Sequence, residues 1–277
     1  MHAGYRMLAL DMDGTLLNSE RQITRRTAYT LGNLAKSGVE VSLSTGRGMN
    51  GLIGYLPDLP FVQFASLLSG CLIMDLRTKK PISAHSIPTQ VVCGLLDLAR
   101  ERDAIALLLT TGGSVARQQD IDRMPEVNMS AFQDIYQANS IRTADYYDFV
   151  ERHPNDVLKV NICHRSAEDR DGTLNWLRLN PIGSIGLTLA RSSISSLECS
   201  SGNANKTTGL SEICSRIGIS MAEVVYVGDA ENDLEAMSAS GCAVAMGNAL
   251  PDVKGKADLV VRDNDHDGIV DAIEALF

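Results

Sequence analysis

Short apolar runs alternate with amphipathic stretches at the beginning of the chain, and this pattern predicts alternating strands and helices. Residues 7–10 form an apolar run, and residues 24–36 follow with apolar positions at helical spacing. The next apolar run covers residues 39–44, and a further helix is predicted over residues 48–56, ended by Pro57. Such alternation is typical of a parallel sheet with helices on both faces.

The same alternation returns near the carboxyl terminus. The predicted strands there cover residues 223–227, 242–245 and 259–261, and the predicted helices cover residues 203–217, 233–240 and 267–276. Together the two ends of the chain predict an α/β fold, a Rossmann-like doubly wound parallel-sheet core that is split in sequence.

The middle of the chain continues the α/β pattern without acidic residues at the predicted strand ends. Strands are predicted over residues 105–110, 158–163 and 185–190, and helices over residues 91–101 and 167–177, while residues 120–155 carry no clear pattern. We therefore predict a core domain formed by residues 1–81 and 191–277, with an α/β cap domain inserted over residues 82–190.

Two features of the insert lead to specific expectations. Lys159 lies in an alternating run at residues 157–160, a pattern that predicts an exposed strand position. Ser192 and Ser193 follow the last predicted strand of the insert and are predicted to be hinge residues where the insert joins the core.

Composition and charge exclude several classes of function. The chain has 277 residues, is 44% hydrophobic and carries a net charge of −9, a balance that disfavours nucleic acid as a partner. No apolar run approaches the roughly 18 residues needed to cross a membrane, and no secretion signal is found, so a cytoplasmic protein is expected. Six cysteines occur without Cys-x-x-Cys spacing, which gives no support to a zinc site. Nothing in the sequence indicates the oligomeric state.

Acidic residues follow two of the predicted strands. Asp11 and Asp13 come directly after residues 7–10 and precede Gly14, and Asp229 and Asp233 follow residues 223–227. Because ligands of open parallel sheets bind outside the carboxyl ends of the strands, these carboxylates are expected to converge. An all-oxygen set of ligands favours Mg²⁺ over zinc or copper.

Phosphate-binding groups follow a third predicted strand. Thr45-Gly46-Arg47 supplies a hydroxyl, a backbone amide beside glycine and a guanidinium, all of which suit a phosphate. Arg47 has two interpretations, a phosphate contact or a structural ion pair. Lys206 lies near the start of a predicted helix, where it either pairs with the acidic cluster or is a solvated surface residue.

These segments, taken in order, resemble the four motifs of the haloacid dehalogenase superfamily. The motifs are Asp11-x-Asp13-Gly14-Thr15, Thr45-Gly46-Arg47, Lys206 and Gly228-Asp229-x-x-Asn232-Asp233. Residues 245–249 and 264–268 resemble the closing signatures of its Cof-type phosphatase branch, and the insert fits the α/β cap of that branch. The resemblance covers both segments of the core.

The resemblance implies a role for each motif residue. Asp11 would be the nucleophile, Asp13 the general acid and base, and Lys206 the cation that neutralises the phosphate and holds Asp11. The resemblance assigns phosphate or substrate contacts to Thr45, Gly46, Arg47, Lys206 and Asn232, and Mg²⁺ contacts to Asp11, Asp13, Asp229 and Asp233. It implies Mg²⁺-dependent hydrolysis of a small phosphorylated metabolite, such as a sugar phosphate or pyridoxal phosphate, through an aspartyl phosphate.

The chain departs from the branch at two positions, and two alternative functions stay open. The branch commonly has Asn-Gly where this chain has Ser69-Gly70, and it often has glycine where this chain has Thr207. Neither change removes a charge that catalysis requires. A phosphomutase would retain the phosphoryl group instead of passing it to water, and a non-catalytic regulator would only bind a phosphorylated ligand.

Overall fold

The computed structural model describes residues 4–180, 182 and 186–277, and the chain divides into two compact units. The core unit contains the chain up to Arg47 together with Gly51–Ser83 and Asn205–Phe277. The inserted unit contains Gly48–Asn50 and Ala84–Ala204. In the part of the chain that is described, no helix is both long and apolar enough to cross a membrane.

The core unit is built on a sheet that has eight strands among the described residues. With strands numbered in chain order, these are β1 (Met7–Leu10), β2 (Glu40–Ser44), β3 (Phe64–Leu67), β4 (Leu72–Asp75), β5 (Lys80–Ala84), β12 (Val224–Gly228), β13 (Cys242–Ala245) and β14 (Leu259–Val260). All residues of β1 and β12 are buried, as expected for central strands covered on both faces.

The order of the strands places a switch point between β1 and β12. The sheet runs β14-β13-β12-β1-β2-β3-β4-β5, and every pair from β14 to β3 is parallel. The chain moves from β1 towards β2 on one side and returns through β12 on the other, which is the arrangement that opens a crevice at the carboxyl ends of these two strands. The α/β fold predicted from the sequence is confirmed.

Helices complete both units. The described residues form, in chain order, α1 (Arg25–Lys36), α2 (Met49–Leu52), α3 (Thr89–Glu101), α4 (Gln118–Asp122), α5 (Ser130–Asn139), α6 (Tyr146–Arg152), α7 (Ala167–Leu179), α8 (Lys206–Ile217), α9 (Leu234–Ala239), α10 (Pro251–Lys254) and α11 (Gly268–Leu276). Thr24 caps α1 by accepting a hydrogen bond from the backbone N–H of Thr27.

The helix predicted over residues 48–56 is shorter than expected. Only Met49–Leu52 is α-helical, and a 3₁₀ turn over Ile53–Asp58 continues through Pro57. Glycine at positions 48, 51 and 54 lowers the helix propensity of this segment, so the first turn does not propagate.

The inserted unit has its own sheet, with six strands in the described part of the chain. Its strands, in the order β10-β11-β9-β6-β7-β8, are β6 (Ile105–Thr110), β7 (Gly113–Ala116), β8 (Ile141–Arg142), β9 (Val157–Cys163), β10 (Leu187–Ser192) and β11 (Ser196–Ser201). Val160 and Ile162 of β9 pack in one apolar cluster with α3. Cys163 packs in a second cluster with α4 on the opposite face.

Because both faces of this sheet are covered, the prediction of an exposed Lys159 is wrong. The residue is 1% exposed, and its Nζ donates to Oε2 of Glu198 on β11 at 2.5 Å. The alternating pattern of β9 predicted solvent on one face, whereas Cys163, on the same face as Lys159, packs against α4.

His164, directly after β9, is 1% exposed, and neither ring nitrogen has a hydrogen-bond partner among the described residues. Burial lowers the pKa of His164 to about 4, with Arg102 and Arg170 adding to the effect and Asp169 opposing it.

The inserted unit extends further towards the carboxyl terminus than the predicted limit of residue 190. β10 and β11 form an antiparallel hairpin, and β11 also pairs with β9, so both strands belong to the inserted sheet. Ser192 and Ser193 lie at the turn of this hairpin, so the prediction that they join the two units is wrong. The predicted strand over residues 185–190 begins at a position outside the described residues, and β10 begins at Leu187.

Candidate active site

The ends of β1 and β12 bring two acidic residues together. Leu10 pairs with Val227 in the parallel ladder, and the backbone N–H of Asp11 donates to the carbonyl of Val227 at 3.0 Å. Asp11 is therefore fixed beside the loop that carries Asp229. The convergence of strand ends expected from the sequence is confirmed for these two residues.

Gly14 allows the chain to turn immediately after β1. Its φ of +79° lies in the left-handed region that favours glycine. A Cβ at this position would lie 2.4 Å from Oδ2 of Asp229, so glycine is also required by the close approach of the two loops. Thr15 then donates from Oγ1 to Oδ1 of Asp229 at 2.9 Å, which orients that carboxylate.

Lys206 is buried between two carboxylates, which rules out the alternative of a solvated surface lysine. Its Nζ donates to Oδ1 of Asp11 at 2.5 Å and to Oδ1 of Asp233 at 2.7 Å, and the residue is 3% exposed. Burial opposes the charge, but the adjacent carboxylates outweigh it and raise the pKa of Lys206. The lysine therefore carries its full positive charge at neutral pH.

Helix α8 places Lys206 at its first position. Asn205 caps the helix by accepting a hydrogen bond from the backbone N–H of Thr208, and Thr208 in return accepts one from the backbone N–H of Asn205. The helix ends at Ile217, as predicted, and Gly218 follows it with a left-handed φ of 71°. The predicted start at residue 203 was three residues too early.

Asp233 is fully buried, and both of its carboxylate oxygens are occupied by donors. Oδ1 accepts from Lys206 and from the hydroxyl of Tyr226, and Oδ2 accepts from the backbone N–H groups of Asp229 and Ala230 at 3.1 and 3.0 Å. Four donors fix this carboxylate in one orientation. Asp233 thus supports the positions of Lys206 and of the loop that begins at Asp229.

The oxygen atoms of three carboxylates form a group that could hold a metal ion. Ligand atoms of Asp11, Asp229 and Asp233 lie within 4.8 Å of one another. Burial raises the pKa of Asp11 to about 7 against the opposing effect of Lys206, and burial raises the pKa of Asp229 to about 6. Because one lysine faces three carboxylates, an added cation fits the charge of the site, and oxygen ligands suit a hard divalent ion.

Arg47 forms a two-point ion pair with Asp13. Its Nε and Nη2 donate to the two carboxylate oxygens of Asp13 at 2.7 and 2.6 Å. The guanidinium also donates to the carbonyl of Gly51 and lies 5.2 Å from the centre of the Tyr55 ring. Of the two interpretations of Arg47, the structure contains the ion pair, and its partner is the residue predicted to be the general acid.

Thr45 follows β2 and is joined to the loop after β3. The residue is 1% exposed, its N–H donates to the carbonyl of Ser66, and its carbonyl accepts from the N–H of Ser69 at 2.9 Å. Ser69 has a φ of 57°, and its Oγ would be the nearest atom to a Cβ built on Gly46. Serine thus occupies a left-handed position that asparagine, the common residue of the branch, tolerates more readily.

Asn232 lies in the 3₁₀ turn over Glu231–Asp233, after β12, and its side chain is exposed. It shares this loop with Asp229 and Asp233, while Thr45 and Gly46 follow β2, the strand on the other side of β1. Apart from Lys206, which begins α8, the sequence-predicted site residues therefore lie in the loops that follow three neighbouring strands.

The tail residues hold the loop that follows Asp13. Asn248 donates from Nδ2 to the carbonyl of Gly14 at 2.8 Å, and Asn264 donates from Nδ2 to the carbonyl of Leu17 at 2.8 Å. The N–H of Asn264 in turn donates to Oδ1 of Asn248. Sequence reasoning found the two tail segments by resemblance but gave them no role, since their partners are more than 200 positions away.

Sequence reasoning missed Tyr226 altogether. The continuous apolar run around it in β12 predicted only a buried strand residue, whereas its hydroxyl donates to Asp233. No local signal separates such a tyrosine from an ordinary core aromatic.

Similarity to known proteins extends over nearly the whole chain. The profile of the family described as haloacid dehalogenase-like hydrolase matches residues 8–273. Phosphatase YwpJ of Bacillus subtilis is 26% identical over 295 residues, which covers 98% of this chain and 99% of that protein. Pyridoxal phosphate phosphatase YbhA of Escherichia coli is 25% identical over 277 residues, which covers 97% of each chain.

A solved structure gives the same result for the fold. A haloacid dehalogenase-like hydrolase from Bacteroides thetaiotaomicron superposes with a TM-score of 0.84 at 29% identity, covering 99% of this chain and 100% of that one. The range matched by the family profile includes every residue of the site described above.

Proposed function

This chain belongs to the haloacid dehalogenase-like hydrolase family and is a phosphatase, and we propose that it hydrolyses a small phosphomonoester with Mg²⁺ through a phosphorylated Asp11. The family and the enzyme class predicted from the sequence are confirmed. The metal, the covalent intermediate, the substrate and the roles of individual residues belong to the proposal.

The observation that carries the proposal is the buried ion pair between Lys206 and Asp11. A cation held 2.5 Å from a carboxylate at a strand end, with a second carboxylate on its other side, suits a site that accepts a phosphoryl group. A protein that only bound a phosphorylated ligand would gain nothing from a buried carboxylate, because two anions repel each other.

Mg²⁺ would be held by the carboxylates of Asp11 and Asp229 and by the backbone carbonyl of Asp13. When bound, the ion would withdraw charge from the phosphoryl oxygens and lower the repulsion between them and Asp11. Both oxygens of Asp233 already accept two hydrogen bonds each, so we assign this residue to the support of Lys206 and of the Asp229 loop.

The first chemical step transfers the phosphoryl group to Asp11. Lys206 holds Oδ1, so Oδ2 is assigned as the atom that forms the new bond to phosphorus. The bond from phosphorus to the leaving oxygen breaks, and this oxygen takes a proton from Asp13. In the second step Asp13 takes a proton from water, the water oxygen bonds to phosphorus, and the bond to Asp11 breaks to release inorganic phosphate.

Arg47 holds both carboxylate oxygens of Asp13 in a two-point ion pair. The first step needs the protonated acid, so Asp13 must leave Arg47 when the substrate binds. An arginine released in this way is free to contact the anionic substrate.

The remaining groups would hold the transferred phosphoryl oxygens. We assign Thr45 and the N–H of Gly46 to these oxygens, because they follow β2 beside Asp11 and the positive φ of Ser69 keeps its loop against them. Lys206 would neutralise the same oxygens, and Asn232 would contact the phosphate from the loop after β12.

The proposed substrate class rests on the net charge of the chain and on the phosphate-binding groups assigned above. A net charge of −9 disfavours a polyanionic substrate and suits a small metabolite whose phosphate is drawn in by the local cations. We propose a sugar phosphate or a similar compound, and the relative that acts on pyridoxal phosphate adds that metabolite to the candidates.

The test is phosphate release from p-nitrophenyl phosphate, a panel of sugar phosphates and pyridoxal phosphate, with Mg²⁺ and with EDTA. We expect release that depends on Mg²⁺ and is lost in Asp11→Asn and Asp13→Asn. Asp97→Asn, which neutralises a half-buried carboxylate of the inserted unit, is the matched control and should keep full activity. Acid-quenched wild-type protein should carry labelled phosphate during turnover, and Asp11→Asn should carry none.

Two outcomes would contradict the proposal in different ways. Labelled phosphate that stays on the protein and passes to a second substrate without release would identify a phosphomutase. Folded protein that binds phosphorylated compounds and neither becomes labelled nor releases phosphate would identify a binding protein.

A further inference from the structure

We infer that Tyr226 is a positioning residue of the proposed phosphatase, acting through Asp233 on Lys206. The inference rests on the proposed function, because it assigns Lys206 to the phosphoryl group. Tyr226 is fully buried in β12, three residues before Asp229, and its hydroxyl donates to Oδ1 of Asp233 at 2.7 Å.

The hydrogen bond lies in a buried chain of contacts that leads to the nucleophile. Oδ1 of Asp233 accepts from Tyr226 and from Lys206 Nζ, both at 2.7 Å, and the same Nζ is 2.5 Å from Oδ1 of Asp11. Asp11, Lys206 and Asp233 are each at most 6% exposed. Water is therefore a poor replacement for the tyrosine hydroxyl.

The ring and the hydroxyl of Tyr226 have separate tasks. The ring packs in an apolar cluster that includes Met7 of β1 and Leu210 of α8. A phenylalanine ring would fill the same space, so packing gives no reason for a hydroxyl here. What the hydroxyl adds is a neutral donor to Asp233, which satisfies this carboxylate without a second cation beside Lys206.

Loss of that donor would change the position of Lys206 between Asp11 and Asp233. Asp233 would keep the two backbone donors at Oδ2, but Lys206 would be the remaining described donor at Oδ1. The ammonium would be drawn towards Asp233 and away from Asp11, which it must hold and whose phosphoryl group it must neutralise. Because Tyr226 touches neither the leaving group nor the phosphate, the loss should affect the chemical step and not the choice of substrate.

The test is Tyr226→Phe, measured on p-nitrophenyl phosphate and on two accepted metabolites with different leaving groups. We expect kcat to fall about tenfold on each of them, the size of one charged hydrogen bond, with KM changed less than about twofold. The unfolding midpoint in urea is measured on the same preparation, so that a loss of kcat caused by misfolding is recognised.

Tyr146→Phe is the matched control. Tyr146 is also buried, and its hydroxyl donates at 2.9 Å to Asp120, which is paired with Arg117 in the inserted unit. We expect this variant to lower the unfolding midpoint without changing kcat per active enzyme. A second arm places Tyr226→Phe in an Asp233→Asn background, where the tyrosine substitution should have little further effect on kcat.

The outcomes separate this inference from the proposed function. Absence of turnover in the wild-type protein would remove the proposed function and the inference with it. If wild-type protein turns over and Asp11→Asn does not, the function stands and Tyr226→Phe alone decides the inference. An unchanged kcat, an effect on KM alone, a loss confined to one substrate, or full additivity with Asp233→Asn would overturn it.

Discussion

Substituting Gly14 by alanine should disable the site while leaving the protein folded. Two effects act at this position. A φ of +79° is unfavourable for alanine by about 1–2 kcal/mol. In addition, the new Cβ would lie 2.4 Å from Oδ2, 2.9 Å from Cγ and 3.0 Å from Oδ1 of Asp229.

The second effect decides the outcome. An ordinary carbon–oxygen contact is about 1 Å longer than 2.4 Å, so the Asp229 carboxylate must move by about that distance. It would then lose the hydrogen bond from Thr15 at 2.9 Å, and its oxygens would no longer converge with those of Asp11. A misplacement of about 1 Å is enough to lower catalysis about 100-fold.

The assay is kcat/KM for p-nitrophenyl phosphate as Mg²⁺ is titrated, together with the unfolding midpoint in urea. We expect Gly14→Ala to lower kcat/KM about 100-fold and to raise the Mg²⁺ concentration needed for half activation. Its free energy of unfolding should fall only by the backbone strain of about 1–2 kcal/mol. Gly218→Ala is the matched control, because Gly218 has a similar φ of 71° and nothing within 4 Å of its Cβ position. The reasoning would be refuted if Gly14→Ala reached half activation at the same Mg²⁺ concentration as wild-type protein. It would also be refuted if both variants lost the same fraction of kcat/KM.

Three further substitutions give separate expectations. His164 takes up a proton near pH 6.5 in the unfolded state but only near pH 4 in the folded state, so the free energy of unfolding falls as the pH falls between these values. In urea unfolding, His164→Leu should therefore lose about 1–2 kcal/mol less stability than wild-type protein between pH 7 and pH 5. Lys159→Met should lower the free energy of unfolding by about 2–3 kcal/mol, because Glu198 loses its cation. The double variant Lys159→Met with Glu198→Leu should recover most of that free energy, and additive losses would contradict a coupled pair. Arg47→Lys keeps the charge but not the two-point contact with Asp13, so kcat should fall about tenfold at an unchanged unfolding midpoint, and an unchanged kcat would show that a point charge suffices.

The parts of the site that sequence reasoning predicted depend on short-range patterns. Asp11 and Asp229 each follow an apolar run directly, and the rule that strand ends meet at a switch point brings them together without knowledge of any side-chain contact. Thr45 comes directly after β2, which pairs with β1, so the same rule places it at this edge of the sheet. The resemblance to a known family then supplied roles that spacing alone left open, as with Lys206.

The errors arose where distant segments determine the environment. Lys159 is buried because Glu198 lies on a strand 39 positions later and because α4 covers the same face, and neither fact is visible in the alternation of β9. The end of the insert was placed too early for a related reason. The strand predicted over residues 185–190 corresponds to β10, whereas the serine-rich β11 was assigned to the core, and only its pairing with β10 and β9 identifies it as part of the inserted sheet.

Several residues around the site depart from local preference. Lys206 starts a helix, where the dipole disfavours a cation, and Leu68 and Ser69 hold left-handed φ values of 52° and 57°. Burial raises the pKa of both Asp11 and Asp229, so their charges are costly. An ordinary substitution would relieve each of these features, and they persist because the surrounding contacts fix them. The buried charges of Lys206, Asp11 and Asp229 have no explanation in stability, whereas the proposed transfer of a phosphoryl group to Asp11 would use a carboxylate with a cation beside it.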